Sequence, residues 1–193
     1  MNSTAADLVG SSRRSVGWTT RQLAEAVGGS QPSLVDVERG RKDASIGRSQ
    51  RLLTAMGWQL TALPTRLTTV IAAAEAVRSY LAEDDRASAL RMACQLAADL
   101  GRADPALRVA LTVAPPASTG DERFDALIAG VAEASLQPDG LPLPRWLSEG
   151  SRTLLNTWDV EEVPALQETA RAATPQALAR RGVFIAADNL VDR

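Results

Sequence analysis

The sequence predicts an all-α protein built as two helical units that divide near residue 65. Three observations lead there. Apolar residues recur at helical spacing along most of the 193 residues. Charge changes sign near residue 65: through Thr65 there are eight Arg and Lys against five Asp and Glu (+3), and beyond it thirteen against eighteen (−5). One short stretch, residues 58–63, alternates apolar and polar residues and sits between the two regions. Domains of 1–65 and 66–193 follow, since a chain of this length holds one sizeable core or two small ones.

Composition narrows the function classes. Hydrophobic residues make up 45% and charged residues 23%, which is globular usage, and no apolar run approaches the roughly 20 residues of a membrane helix. The opening MNSTAADLVG has neither a basic start nor a long apolar core, so a secretory leader is not expected. Cys94 is the single cysteine, which excludes an internal disulfide and suits a reducing cytoplasm. Histidine is absent, which removes the usual zinc sites, histidine-based triads and the commonest general base. Asp84-Asp85 and Glu161-Glu162 are sequence neighbours and read as solvated faces or helix starts. No enzyme, cofactor or metal is expected.

The informative stretch runs from Trp18 to Gly40. Thr19 is a good N-cap, and Leu23, Ala24 and Val27 make one helical stripe, so a helix over about 20–27 is predicted. Gly28-Gly29 stops it, since glycine readily takes the left-handed backbone that closes a helix. Ser30 caps a second helix running to about Arg39, and Pro32 falls in its first turn, where the missing amide costs no intrahelical bond. Leu34 and Val37 turn inward, leaving Gln31, Ser33, Asp36 and Arg39 outward. Two short helices joined by a glycine-containing turn form the supersecondary unit that enters a DNA groove. Downstream, Arg39, Arg41, Lys42, Arg48 and Arg51 lie in a stretch whose only acid is Asp43. By charge alone this run is either a phosphate-neutralising patch or a solvated surface.

The same residues resemble the lambda-repressor/Cro-like family, also called the xenobiotic-response-element family. Its pattern is matched identically by Gly17, Thr19, Leu23, Ala24, Gly28, Ser30, Glu38 and Gly40, with Trp18 and Leu34 as apolar substitutions. Ala44-Ser45-Ile46, Leu52-Leu53 and Ala55-Met56-Gly57 resemble the family's fourth helix and closing glycine, and residues 8–16 would be its first helix. The resemblance implies a five-helix-type DNA-binding domain and a sequence-specific repressor of double-stranded DNA. It assigns phosphate contact to Thr20 and the neighbouring Arg21, and base-edge contact to Ser30, Gln31, Pro32, Ser33, Val35 and Asp36. Gln31 suits adenine, whose N6 and N7 one amide engages together, and Val35 suits a thymine methyl. Asp36 either accepts from cytosine N4 or holds Arg39 or another cation in place. Arg39, Arg41 and Lys42 would grip the flanking backbone. Arg13 and Glu38 take the places of the family's structural ion pair.

Residues 58–63 carry the alternating pattern of a strand, which Pro64 ends, with Trp58, Leu60 and Leu63 as its dimer-forming residues. A lone strand is not stable in water, so it either pairs with its copy in a homodimer or is an extended linker. The placement resembles antitoxins of the HipB type, and a dimer implies a palindromic operator with half-sites roughly 34 Å apart.

Beyond residue 66 helices are predicted over 70–81, 87–100 with Gly101 as stop, 106–113 and 124–134, with loops at 115–121 and 138–144. Short helices are expected around Trp146, Leu154, Trp158, Leu166 and Leu178. Residues 180–190 and Pro144-Arg-Trp-Leu resemble a C-terminal module of actinobacterial helix-turn-helix proteins. That module implies an antitoxin facing a toxin partner, of nucleotidyltransferase type. Trp158, Arg181 and Phe184 are then either partner anchors or core residues. A small-ligand sensor or a plain oligomerisation module is the competing reading of this region.

Overall fold

The structure, a computed structural model, describes residues 4–191. It is predominantly helical and divides into two compact units. The first runs to Arg66 and includes the short segment Ala114–Ala117; the second comprises Leu67–Val113 and the chain from Ser118 onward. No helix among the described residues is long and apolar enough to cross a membrane.

The first unit holds α1 (Thr4–Ser15), α2 (Thr20–Ala26), α3 (Gln31–Glu38) and α4 (Ile46–Ala55). Val9, Leu23, Ala24, Leu34, Leu52, Leu53 and Met56 form its core, with Trp18, Val27 and Trp58 packed at the edge. Up to Arg66 the described residues of this unit contain four helices, not five. The reason is local: Gly57 turns the backbone left-handed at φ +82° after α4, and the period-two run and Pro64 that follow offer no helical stripe. Residues 58–63 form neither helix nor strand ladder within the chain. Trp58 is half-buried, while Leu60 and Leu63 are exposed at 40% and 39%.

The second unit contains α5 (Val70–Ala82), α6 (Arg86–Arg102), α7 (Pro105–Thr112), α8 (Glu122–Leu136), β1 (Trp158–Asp159), α9 (Pro164–Ala172), α10 (Gln176–Ala179), β2 (Val183–Phe184) and α11 (Ala187–Val191). α8 is buried from Phe124 through Ala132 and packs against α5, α6, α7, α10 and β2. Its alanines and Gly130 let neighbours approach closely. A Cβ at Gly130 would stand 2.4 Å from Leu178 Cδ2 on α10.

Two carboxylates fasten the connections. Asp99 on α6 accepts from the Thr68 amide and the Gln95 side chain, both at 2.9 Å, and pairs with Arg102. Burial alone would raise its pKa, but the bonds from Thr68, Arg102 and Gln95 outweigh burial and hold it below the ordinary value. Asp125 in the first turn of α8 accepts from Ser118 Oγ (2.6 Å) and from the Thr119 amide (2.7 Å), closing the loop ahead of the helix.

Three expectations change here. α6 runs through Gly101 to Arg102 and ends because Asp104 caps α7, which Pro105 opens. Trp158, expected in a short helix, lies in β1, which pairs in parallel with β2 in the register Trp158 to Val183 and Asp159 to Phe184. Leu154 lies outside any helix, its amide bonded to the Arg181 carbonyl at 3.0 Å. For Trp158 and Leu154 a distant stretch of chain supplies the partner, and local patterning carries no trace of it.

Candidate nucleic-acid interface

The candidate surface is built on α2 and α3. Thr19 caps α2 as expected: its Oγ1 accepts from the Gln22 amide (3.2 Å), and Gln22 Oε1 accepts from the Thr19 amide (2.8 Å). This reciprocal capping box satisfies two amides at the helix start. Gly28 adopts φ +65°, the left-handed turn that aims α3 away from α2. Ser30 has the extended backbone of an N-cap, yet its side chain makes no capping bond.

On the outer face, Gln31 and Pro32 are exposed and Thr20, Ser33, Val35 and Asp36 half-exposed, while Leu34 and Val37 are buried at 2% and 1%. Gln31 Nε2 donates to Thr20 Oγ1 at 3.3 Å, joining the first residues of α2 and α3. The bond uses one of the two amide hydrogens and leaves the other, with the carbonyl oxygen, facing outward. Arg21 lies at the surface and pairs with Glu25 one turn along α2 at 2.8 Å.

Asp36 is engaged by cations: Arg41 approaches at 2.8 Å and Lys42 at 3.8 Å. The Arg41 and Lys42 amides also donate to the Asp36 carbonyl, at 2.9 and 3.1 Å. Asp36 thus folds the segment after α3 back on itself, and its partners are Arg41 and Lys42 rather than Arg39, which stays exposed. Behind the helices, Arg13 Nε and Nη2 donate to the two Glu38 oxygens at 2.7 and 2.8 Å, and Nη1 donates to the Trp18 carbonyl at 2.6 Å. The Glu38 bond chiefly raises the arginine pKa, against an opposing effect of burial.

Arg48 and Arg51, noticed in the sequence only as members of a basic run, belong to this surface. Arg48 Nη2 donates to Ser33 Oγ at 2.9 Å. Both arginines line a cleft of about 450 Å³ with Gly28, Gly29, Ser30 and Ser33. Neither has a carboxylate partner among the described residues. Spacing along the chain could not place the start of α4 beside the start of α3.

In the second unit, Arg181 is buried at 6%, pairs with Glu133 and donates to the Arg152 carbonyl at 3.0 Å. Phe184 lies under the Arg171 guanidinium, 4.8 Å from its carbon. Trp158 sits between Phe124 (5.4 Å) and Arg123 (5.7 Å) and lines a cleft of about 970 Å³ with Leu90, Arg91 and Glu161. Trp158 and Phe184 keep some surface, whereas Arg181 is engaged inside the domain. Comparison with family models, with curated proteins and with solved structures gives no match.

Proposed function

We propose that this chain is a sequence-specific DNA-binding repressor of the lambda-repressor/Cro-like kind, acting in the cytoplasm as the autoregulating antitoxin of a toxin–antitoxin pair. The observation that carries the reading is the Gln31 to Thr20 bond on an exposed face of a unit that also carries Arg39, Arg41, Lys42, Arg48 and Arg51. A side-chain amide fixed at the start of an outward helix is equipped to read base edges, and the cations to neutralise phosphates. The exposed Leu60 and Leu63 after Trp58 support pairing of residues 58–63 with a second copy. A twofold homodimer on a palindromic operator follows. The net negative second unit is the part offered to a toxin of nucleotidyltransferase type.

The decisive experiment is selection of bound duplexes from a random pool by the purified chain. A recurring palindromic half-site supports the proposal, and no preference at low salt defeats it. One observation favours a second reading of the C-terminal unit: the cleft beside Trp158 has the size of a small-molecule site. A neighbouring open reading frame, toxic when expressed alone and silenced by this chain, decides for the antitoxin; a small molecule that binds the cleft and releases DNA decides for a ligand-sensing transcription factor.

A further inference from the structure

The geometry points to Arg48 as a specificity-determining residue that, together with Ser33, reads guanine in the major groove. The inference rests on the DNA-binding reading above and gives Arg48, grouped there with the phosphate-neutralising cations, a base to read. Arg48 lies on α4, outside the two helices that carry the other base-facing side chains. Its Nη2 donates to Ser33 Oγ at 2.9 Å, and the half-buried pair lines the same cleft as Ser30 and Arg51.

The chemistry follows from the donor inventory. A guanidinium has no acceptor, so the Ser33 hydroxyl hydrogen cannot return to Arg48. Ser33 Oγ also donates to no acceptor among the described residues. The hydroxyl is therefore fixed as an acceptor on the Arg48 side and a donor elsewhere. Arg48 keeps further N–H groups beyond the one it gives to Ser33. The pair thus presents two hydrogen-bond donors side by side. Of the four bases, only guanine shows two adjacent acceptors, N7 and O6, to the major groove; adenine pairs an acceptor with a donor, thymine an acceptor with a methyl, and cytosine shows a donor. With no carboxylate paired to Arg48 among the described residues, its charge is available to strengthen those bonds.

The test is random-pool selection with the full chain and with Arg48→Lys, Arg48→Ala and Ser33→Ala, followed by affinity measurements on the selected duplex carrying 7-deazaguanine at the assigned position. Wild type should select guanine at one position per half-site. Arg48→Ala and Ser33→Ala should each lose that preference and leave the adenine assigned to Gln31 intact. Arg48→Lys, which keeps the charge and loses the fork, should lower guanine discrimination about tenfold while leaving the salt dependence unchanged. The 7-deazaguanine duplex should bind wild type about tenfold more weakly and Arg48→Ala no more weakly than its parent, a comparison that leaves the protein fold untouched. Uniform weakening of Arg48→Ala on every sequence, with the guanine preference retained, would make Arg48 a phosphate clamp and overturn the inference. Wild type that selects duplexes without a guanine also overturns it while sparing the DNA-binding reading. Wild type that selects nothing brings down both.

Discussion

Arg13 and Glu38 join α1 to the end of α3 through two parallel bonds of 2.7 and 2.8 Å, with their side chains only 12% and 11% exposed. Both charges are largely withdrawn from water, so each depends on the other. Removing one strands its partner, and for a buried pair that loss is about 3–5 kcal/mol. Glu38→Ala should therefore unfold the first unit before it alters base preference. Denaturant melting followed by tryptophan fluorescence checks this. Unchanged melting together with weaker duplex binding would move Glu38 from the scaffold to the interface.

Gln31 and Arg41 should fail in different ways. Gln31→Ala removes the amide to which the proposed function gives base discrimination, and should cost about 1–3 kcal/mol at one base pair per half-site. Arg41→Ala should weaken all duplexes alike and reduce the salt-dependence slope by about one. Titrations on matched and mismatched duplexes over a range of salt separate the two. The Asp36 bond to Arg41 is exposed, so its loss should change stability by less than about 1 kcal/mol.

Gly130→Ala should destabilise the second unit, although alanine is ordinarily the better residue inside a helix. The new Cβ would lie 2.4 Å from Leu178 Cδ2 and 3.2 Å from Leu178 Cα, a crowding that costs about 1–3 kcal/mol. Pairing it with Leu178→Ala should give less than the sum of the two single losses. Strict additivity in thermal melts would show that contact with the Leu178 side chain is not the source of the Gly130→Ala loss.

Stability of the second unit should fall in acid. The Asp99 pKa is depressed in the folded state, because its hydrogen bonds outweigh the opposing effect of burial. A carboxylate of this kind binds fewer protons folded than unfolded, so its contribution is complete above the unfolded value near 3.9 and is lost as pH falls through the lower, folded value. Melting temperature plotted against pH should therefore drop steeply below about pH 4. Asp99→Asn should start lower at neutral pH and decline less. Parallel curves for the two proteins would assign the acid sensitivity to other groups.

The N-terminal helices were legible in the sequence because each is signalled locally. Thr19 announces α2, Gly28 ends it, and Pro32 marks the first turn of α3. The bonds that give the surface its chemistry were not equally visible. Asp36 meets Arg41 five residues away and could be anticipated as holding a cation. Arg48 meets Ser33 fifteen residues away, across a turn whose direction no propensity sets. In the second unit, Trp158 reads as one more apolar residue in a helix-rich region, and only its pairing with Val183 makes it a strand.

The parallel pairing of β1 with β2 bears on how the chain is made. The core of the first unit closes with residues from Val9 to Met56, all of which are made before the second unit begins at Leu67. The second unit lacks Val183, Ile185 and Leu190, buried at 0%, 2% and 6%, until well after α8 has been made. During translation, the first unit can thus be in place while α8, buried from Phe124 through Ala132 in the finished fold, still waits for its cover, and the nascent second unit is the part that most needs a chaperone's protection.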